Sequence, residues 1–370
     1  MKFLHLSDLH LGRRLYDASL LEDQQIILQQ ILELLDSQGA DAVILAGDIY
    51  DKSVPSAEAV RLLDWFLTQL ADRKKPVFMV SGNHDSAERI AFGANLFDEK
   101  GVYVSPVLEE VTKPVTLHDE YGPVHVYLLP FVKPVHVRRV FSETEIEDYT
   151  QAVEAVVKAW SPNENERNVL VAHQLVTGAL RSESESVSIG GLDDVSAEVF
   201  GPFDYVALGH LHRAQSVTRE TVRYSGTPLA YSFSEEEQKS VTWVELGEKG
   251  SVCVSQTPLV PRHPVRTVKG VFDELMKQTS DDYLRMILLD EDDVPYAMTR
   301  LRHRYPNLLR LEYDNLRTRA QPQLQPMASQ ELSPLQMLED FYQDRNDRPM
   351  SEPLREMARK WMEEIWEEHQ

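Results

Sequence analysis

The chain is 370 residues long, beyond the usual size of one compact unit, and its 42% apolar and 26% charged content reads as a soluble globular protein with a large domain and smaller attachments. A single cysteine, Cys253, excludes an internal disulfide. With no signal-peptide core and no run near the roughly 20 apolar residues of a membrane span, the expectation is a cytoplasmic protein without membrane contact. A formal charge of −22 counts against free nucleic-acid binding, so an acidic chain that meets DNA needs metal ions, a local basic patch or a basic partner.

Lys2–Leu6, Ala42–Ala46, Val77–Val80, Val169–Ala172 and Tyr205–Leu208 are β-rich runs short enough for buried strands. Helical spacing separates the first three. Leu20, Ile27, Ile31 and Leu34 mark a helix within Ala18–Leu35, and Val60, Leu63, Leu67 and Leu70 mark one within Glu58–Leu70. That order predicts right-handed crossovers and a largely parallel sheet. Thr116–Leu117 and Val124–Leu129 flank a turn at Asp119–Gly122 and predict an antiparallel addition. Further β runs at Val222–Tyr224, Val241–Leu246 and Ser251–Thr257 suggest an α/β fold of two packed mixed sheets with helices outside.

Pro261–Pro264 reads as a boundary, placing the main domain at 1–260. Val265–Tyr313 alternates strand and helix, enough for a small α+β domain over 265–315. A linker rich in Gln, Pro and Arg comes next at 316–330, and then C-terminal helices at 331–370.

The residues just past each core strand carry the chemistry. Ser7-Asp8-Leu9-His10, Gly47-Asp48, Gly82-Asn83-His84-Asp85, His173 and Gly209-His210-Leu211-His212 all stand at carboxyl ends of predicted strands, where open α/β sheets collect ligands. Carboxylate, amide oxygen and imidazole form a mixed O/N set suited to Mn, Fe or Zn. Two divalent ions side by side repel and need an anionic bridge, for which Asp48 on the middle strand is the choice. Gly47, Gly82 and Gly209 are expected to let the backbone turn sharply there. His5, inside the first strand, reads as a packed, hydrogen-bonded residue.

These elements, in this order over residues 1–212, resemble the calcineurin-like metallophosphoesterase superfamily. The resemblance implies a four-layer sandwich and two divalent ions, manganese first, with magnesium, iron or zinc as alternatives. It implies one ion held by Asp8, His10, Asp48 and His212 and the other by Asp48, Asn83, His173 and His210. His84 would be the catalytic residue that protonates the leaving oxygen, with Asp85 orienting its imidazole. Hydrolysis of a phosphodiester would proceed without a covalent enzyme intermediate.

Within that superfamily the opening Met1–Gly12, Ala46-Gly47-Asp48-Ile49-Tyr50-Asp51, Leu129-Pro130-Phe131, Ala207–Arg213 and Tyr224-Ser225-Gly226-Thr227-Pro228 are similar to the SbcD family of bacterial double-strand-break-repair nuclease subunits. Archaeal and eukaryotic relatives place a second catalytic histidine where this chain has Asp51. The resemblance implies 3′–5′ exonuclease and single-strand or hairpin endonuclease activity in DNA repair, recombination and replication. It also implies a capping domain at 265–315 and a homodimer within a heterotetramer, with the region of Glu58–Leu70 in the dimer bundle. Arg300, Arg302, His303, Arg304 and Arg310 in the cap fit a solvated face and a DNA-facing one equally well.

In the tail, Leu335, Leu338 and Phe341 share one helical face, and Leu354, Met357, Trp361 and Ile365 another. Amphipathic helices after a linker read as docking elements, and the resemblance supplies the partner, an SbcC-type ATPase with a coiled coil. The chain has no Gly-x-x-x-x-Gly-Lys-Ser/Thr loop of its own, so ATP use would be that partner's. The alternatives are a small-molecule or cyclic-nucleotide phosphodiesterase, which the acidic charge suits, and a scaffold that has lost its metals, which the full ligand set opposes.

Overall fold

A computed structural model describes residues 1–109, 111–181, 194–320, 334–346 and 348–368. Strand Lys2–Leu6 pairs in parallel with Ala42–Ala46, which pairs in parallel with Val77–Val80, and Val102–Val104 extends that edge. On the other side Ser240–Leu246 joins Lys2–Leu6 antiparallel and carries Val252–Pro258. The second sheet centres on Arg167–His173, flanked in parallel by Gly122–Leu129 and Tyr205–Gly209. The predicted hairpin adds Val115–Asp119 antiparallel at one edge of it. The mixed character expected from the sequence is present in both sheets.

Strand alternation explains how the layers stack, because successive side chains leave a strand on opposite faces. Phe3, Ala42, Ile44, Phe78, Val126, Val171, Tyr205 and Ala207 fill the space between the sheets. Val43 and Leu45 point the other way, onto helices Leu21–Gln38 and Ala57–Asp72. Leu170 and Val206 likewise pack outward, with Val153 and Val156 of helix Tyr149–Trp160. Helix, sheet, sheet and helix make the four layers.

Two helical expectations shift. Ala18–Ser19 is a short strand, and the first helix begins at Leu21. Helix Ala57–Asp72 buries Ala59, Leu62, Leu63, Phe66 and Leu70, whereas Val60, expected on the apolar face, is exposed. The stripe is turned: Leu62, Leu63 and Phe66 belong to the core cluster that holds Leu45 and Val77, and Leu67 packs against it only partly buried.

Val265–Gly270, Tyr283–Leu288 and Leu308–Tyr313 form a three-stranded parallel sheet with its own core around Phe272, Met286 and Leu301. Its seat on the main domain combines apolar packing of Tyr283, Val265 and Leu309 with polar contacts: Tyr283 donates its hydroxyl to Asp23 at 2.9 Å, and His263 Nδ1 donates to the same carboxylate at 2.7 Å. The basic cluster of this small domain is partly engaged. Arg300 stacks on Phe272, Arg302 donates to the Leu308 carbonyl, and Arg310 donates to Tyr16. The start of the expected linker is helical over Leu316–Ala320, and 321–333 lie outside the described residues.

Helices Pro334–Asn346 and Glu352–Glu368 pack on each other, joined by an Arg355–Glu339 ion pair. Phe341, Met357 and Trp361 are exposed, Leu335, Leu338 and Leu354 are half-buried, and the side chain of Ile365 lies outside the described residues. Among the described residues no helix is long and apolar enough to cross a membrane.

Candidate metal centre

The two sheets meet so that the carboxyl ends of Lys2–Leu6, Ala42–Ala46 and Val77–Val80 face those of Arg167–His173 and Tyr205–Gly209. The join is close at the centre, where His173 Nδ1 donates to the Ala46 carbonyl at 2.9 Å. A Cβ at Gly209 would stand 1.8 Å from that same oxygen, so only glycine lets the strands approach this far. The sharp turn expected of the three glycines holds at Gly47, with φ of +84°; Gly82 and Gly209 are required for close approach instead.

All seven expected ligands converge here. Asp48 accepts the His84 main-chain N–H on Oδ1 at 2.9 Å, while its Oδ2 lies 3.6 Å from His10 Nε2 and 3.4 Å from His173 Nε2. One carboxylate oxygen thus stands between a histidine of each expected ion position, the place a bridge must occupy. Asn83 Oδ1 is 3.0 Å from His173 Nε2 and 2.9 Å from His210 Nδ1, so an amide oxygen and two imidazole nitrogens share one point. On the other side the His10 and His212 rings are 5.1 Å apart, and Asp8 is fixed by the His210 main-chain N–H at 3.0 Å and the Ser7 hydroxyl.

The arrangement is costly without cations. Asp8, Asp48 and His173 are buried with ligating atoms within 4.8 Å of one another. Among the described residues neither ring nitrogen of His10, which is 1% exposed, has a hydrogen-bond partner. Burial raises the Asp8 carboxyl to about 6, with Asp48 adding to the rise. Burial works against charge on His173, yet Asp48 and then Asp8 lift its pKa to about 9. Burial also holds His10 well below its ordinary value and His210 at about 3, keeping both as neutral imidazoles able to ligate. Orphaned nitrogens, buried carboxylates and a mixed donor set fit two divalent ions.

Strain concentrates at the same place. Asp8, His10, Asp48 and His210 have φ of 52°, 43°, 47° and 114°, in the region that side chains other than glycine avoid at a cost on the order of 1–3 kcal/mol each.

His84 stands at the edge of the cluster, its ring perpendicular to that of His10 at 4.9 Å. The residue expected to orient it is engaged elsewhere. Asp85 accepts three main-chain N–H groups, from Ile49 at 3.0 Å, Tyr50 at 2.9 Å and Gly82 at 2.9 Å. The ring is held instead by the main-chain oxygen of Asp51, which accepts from Nδ1 at 3.0 Å. The Asp85 side chain is directed toward the loop after Asp48, because two N–H donors there, with the Gly82 N–H of its own loop, need an acceptor.

The structure adds residues that the sequence did not single out. Gln24, 1% exposed, donates to the carbonyls of Leu9 and His10 and accepts from Gly12 N–H, so it shapes the first ligand loop. Glu235 accepts from His212 Nδ1 at 2.9 Å. It lies in the run Ser234-Glu235-Glu236-Glu237, which reads as a solvated acidic stretch; nothing local marks which glutamate turns inward. Two segments of the resemblance also acquire a place, since Ser225 donates to Ser7 and Phe131 packs edge-on against His173. His5 is packed as expected, with Nδ1 at 2.9 Å from the Tyr205 hydroxyl.

The family model described as calcineurin-like phosphoesterase matches residues 1–214. A second, described as type 5 capsule protein repressor C-terminal domain, matches residues 261–346. The chain is 31% identical over 365 residues to the D subunit of the SbcCD nuclease of Staphylococcus epidermidis, covering 95% of each. It is 35% identical over 321 residues to the protein of the same name in Staphylococcus saprophyticus, covering 84% of each.

Proposed function

Because the chain belongs to the calcineurin-like phosphoesterase family, we propose that it is the nuclease subunit of an SbcCD-type complex, a metal-dependent phosphodiesterase acting on DNA ends and hairpins beside an SbcC-type ATPase. The observation that carries the reading is the placing of Asp48 Oδ2 between His10 and His173, with His84 at the rim of the same cluster. Asp8, His10, Asp48 and His212 would hold one ion, and Asp48, Asn83, His173 and His210 the other. Manganese is the proposed metal. When bound, the ions supply Lewis acidity toward a phosphoryl oxygen and an acidified water as nucleophile.

The chain's own residues do the rest. The Asp51 carbonyl takes the Nδ1–H of His84, which leaves Nε2 as the nitrogen that hands a proton to the leaving oxygen. Asp85 holds the loop after Asp48, keeping that carboxylate in place through Ile49 and Tyr50. The finer activities, 3′–5′ exonuclease on duplex ends and endonuclease on single strands and hairpins, are part of the proposal. So are a homodimer and the docking of the tail helices on the ATPase's coiled coil, which the exposed Phe341, Met357 and Trp361 support. With a formal charge of −22, most of the grip on DNA would come from the partner.

The test compares duplex DNA ends, bis-p-nitrophenyl phosphate and cyclic nucleotides with Mn²⁺, with and without the ATPase. Cleavage of DNA that His84→Ala abolishes while the metal is retained is expected. Turnover of the small esters with no DNA cleavage, even with the ATPase present, refutes the nuclease reading and leaves a small-molecule phosphodiesterase.

A further inference from the structure

The geometry points to Glu235 as a positioning residue that serves one of the two ion positions and not the other; this rests on the two-ion reading above. An ionised carboxylate only accepts hydrogen bonds, so the 2.9 Å contact with Glu235 Oε1 puts the ring proton of His212 on Nδ1 and makes Nε2 the ligating nitrogen. Glu235 is 2% exposed, and Lys239, at 2.7 Å from its Oε2, keeps it ionised. Lys239 also donates to the His212 carbonyl at 3.1 Å, so this pair grips both the ring and the main chain of that residue. Thr227 Oγ1 at 3.4 Å and Tyr231 N–H at 3.3 Å complete the carboxylate's partners.

Burying such an ion pair is expensive, and an apolar pair of similar volume would pack as well. Its cost is offset if it orients a ligand. The other ligand histidines are held differently: His173 by the Ala46 carbonyl, His210 against Asn83, and His10 by packing against His84, His212 and Tyr231. Only His212 therefore depends on the Glu235–Lys239 pair, and the position it shares with Asp8, His10 and Asp48 is the one that Glu235 tunes.

The experiment titrates the metal-stripped full chain with Mn²⁺, by calorimetry and by electron paramagnetic resonance, which separates single ions from exchange-coupled pairs. Wild type is expected to show the coupled pair. Glu235→Gln is expected to fill one position normally and to form the pair only at about 10- to 100-fold higher Mn²⁺. His212→Ala should reproduce that pattern, and adding Glu235→Gln to it should change nothing further. Unchanged affinity at both positions overturns the proposal, as does equal weakening at both. If Glu235→Gln does not fold, Glu235→Asp keeps the charge beside Lys239 but withdraws it from Nδ1, and the same one-position loss is expected. Absence of Mn²⁺ binding by the wild type refutes the metal reading itself, which distinguishes the two failures.

Discussion

The main-chain oxygen of Asp51 lies 3.0 Å from Nδ1 of His84, so the proposed acid is oriented by backbone and not by a carboxylate. The Asp51 side chain turns away to Arg13, with which it pairs at 2.6 Å. Substituting Asp51 therefore leaves the contact on His84 in place. Asp51→Ala is expected to lower cleavage less than about tenfold, whereas His84→Ala should cost about 10²–10⁴ in kcat. Steady-state assays on a duplex end decide it, and a loss at Asp51→Ala equal to that at His84→Ala would give the side chain a direct role.

Asp85→Ala should behave as a folding defect before a catalytic one. Three buried N–H groups lose their acceptor, and a loss of about 3 kcal/mol or more in unfolding free energy is expected. Urea denaturation of the metal-stripped protein measures it. Full stability with lost cleavage would return Asp85 to the orienting role that the sequence suggested.

His5 predicts the acid limb of stability. Burial, and after it the charge of Arg223, lowers its pKa from 6.5 to about 3. As pH falls below 6.5 the unfolded chain takes up a proton that the folded one refuses, so stability falls with pH until about pH 3. Between pH 7 and pH 5 this residue alone should remove about 2 kcal/mol. His5→Asn, which can still meet the Tyr205 hydroxyl, is expected to flatten that part of the profile in metal-stripped protein. An identical slope in both proteins would show that His5 is not its source.

Exposed apolar side chains on the tail hairpin cost nothing to replace if only a partner covers them. Phe341→Asp and Trp361→Asp should leave the thermal midpoint and metal content unchanged and weaken binding to the ATPase by about 2 kcal/mol or more each, as anchor residues do. A pull-down with purified ATPase reads the loss, and unaffected binding would remove the hairpin from the interface.

Local sequence was enough to place the core strands and to single out the seven residues that the fold gathers at one place. Five apolar runs with polar ends are local patterns, and their bounds need only period and length, as the match of Lys2–Leu6, Ala42–Ala46 and Val77–Val80 shows. Asp8, His10, Asp48, Asn83, His173, His210 and His212 were legible because each stands at or just past the carboxyl end of a strand, and the strand order carries them to one place. The groups that hold those ligands emerged only from packing across the fold. Glu235 meets His212 and Gln24 meets His10 across distant segments, and Asp85 turns from its neighbour His84 to the loop after Asp48. The face that helix Ala57–Asp72 buries was set in the same way, by the side chains opposite it. A hydrogen bond is won by whichever donor the packed fold brings to an acceptor, and nothing in a residue's neighbours along the chain records which donor that will be.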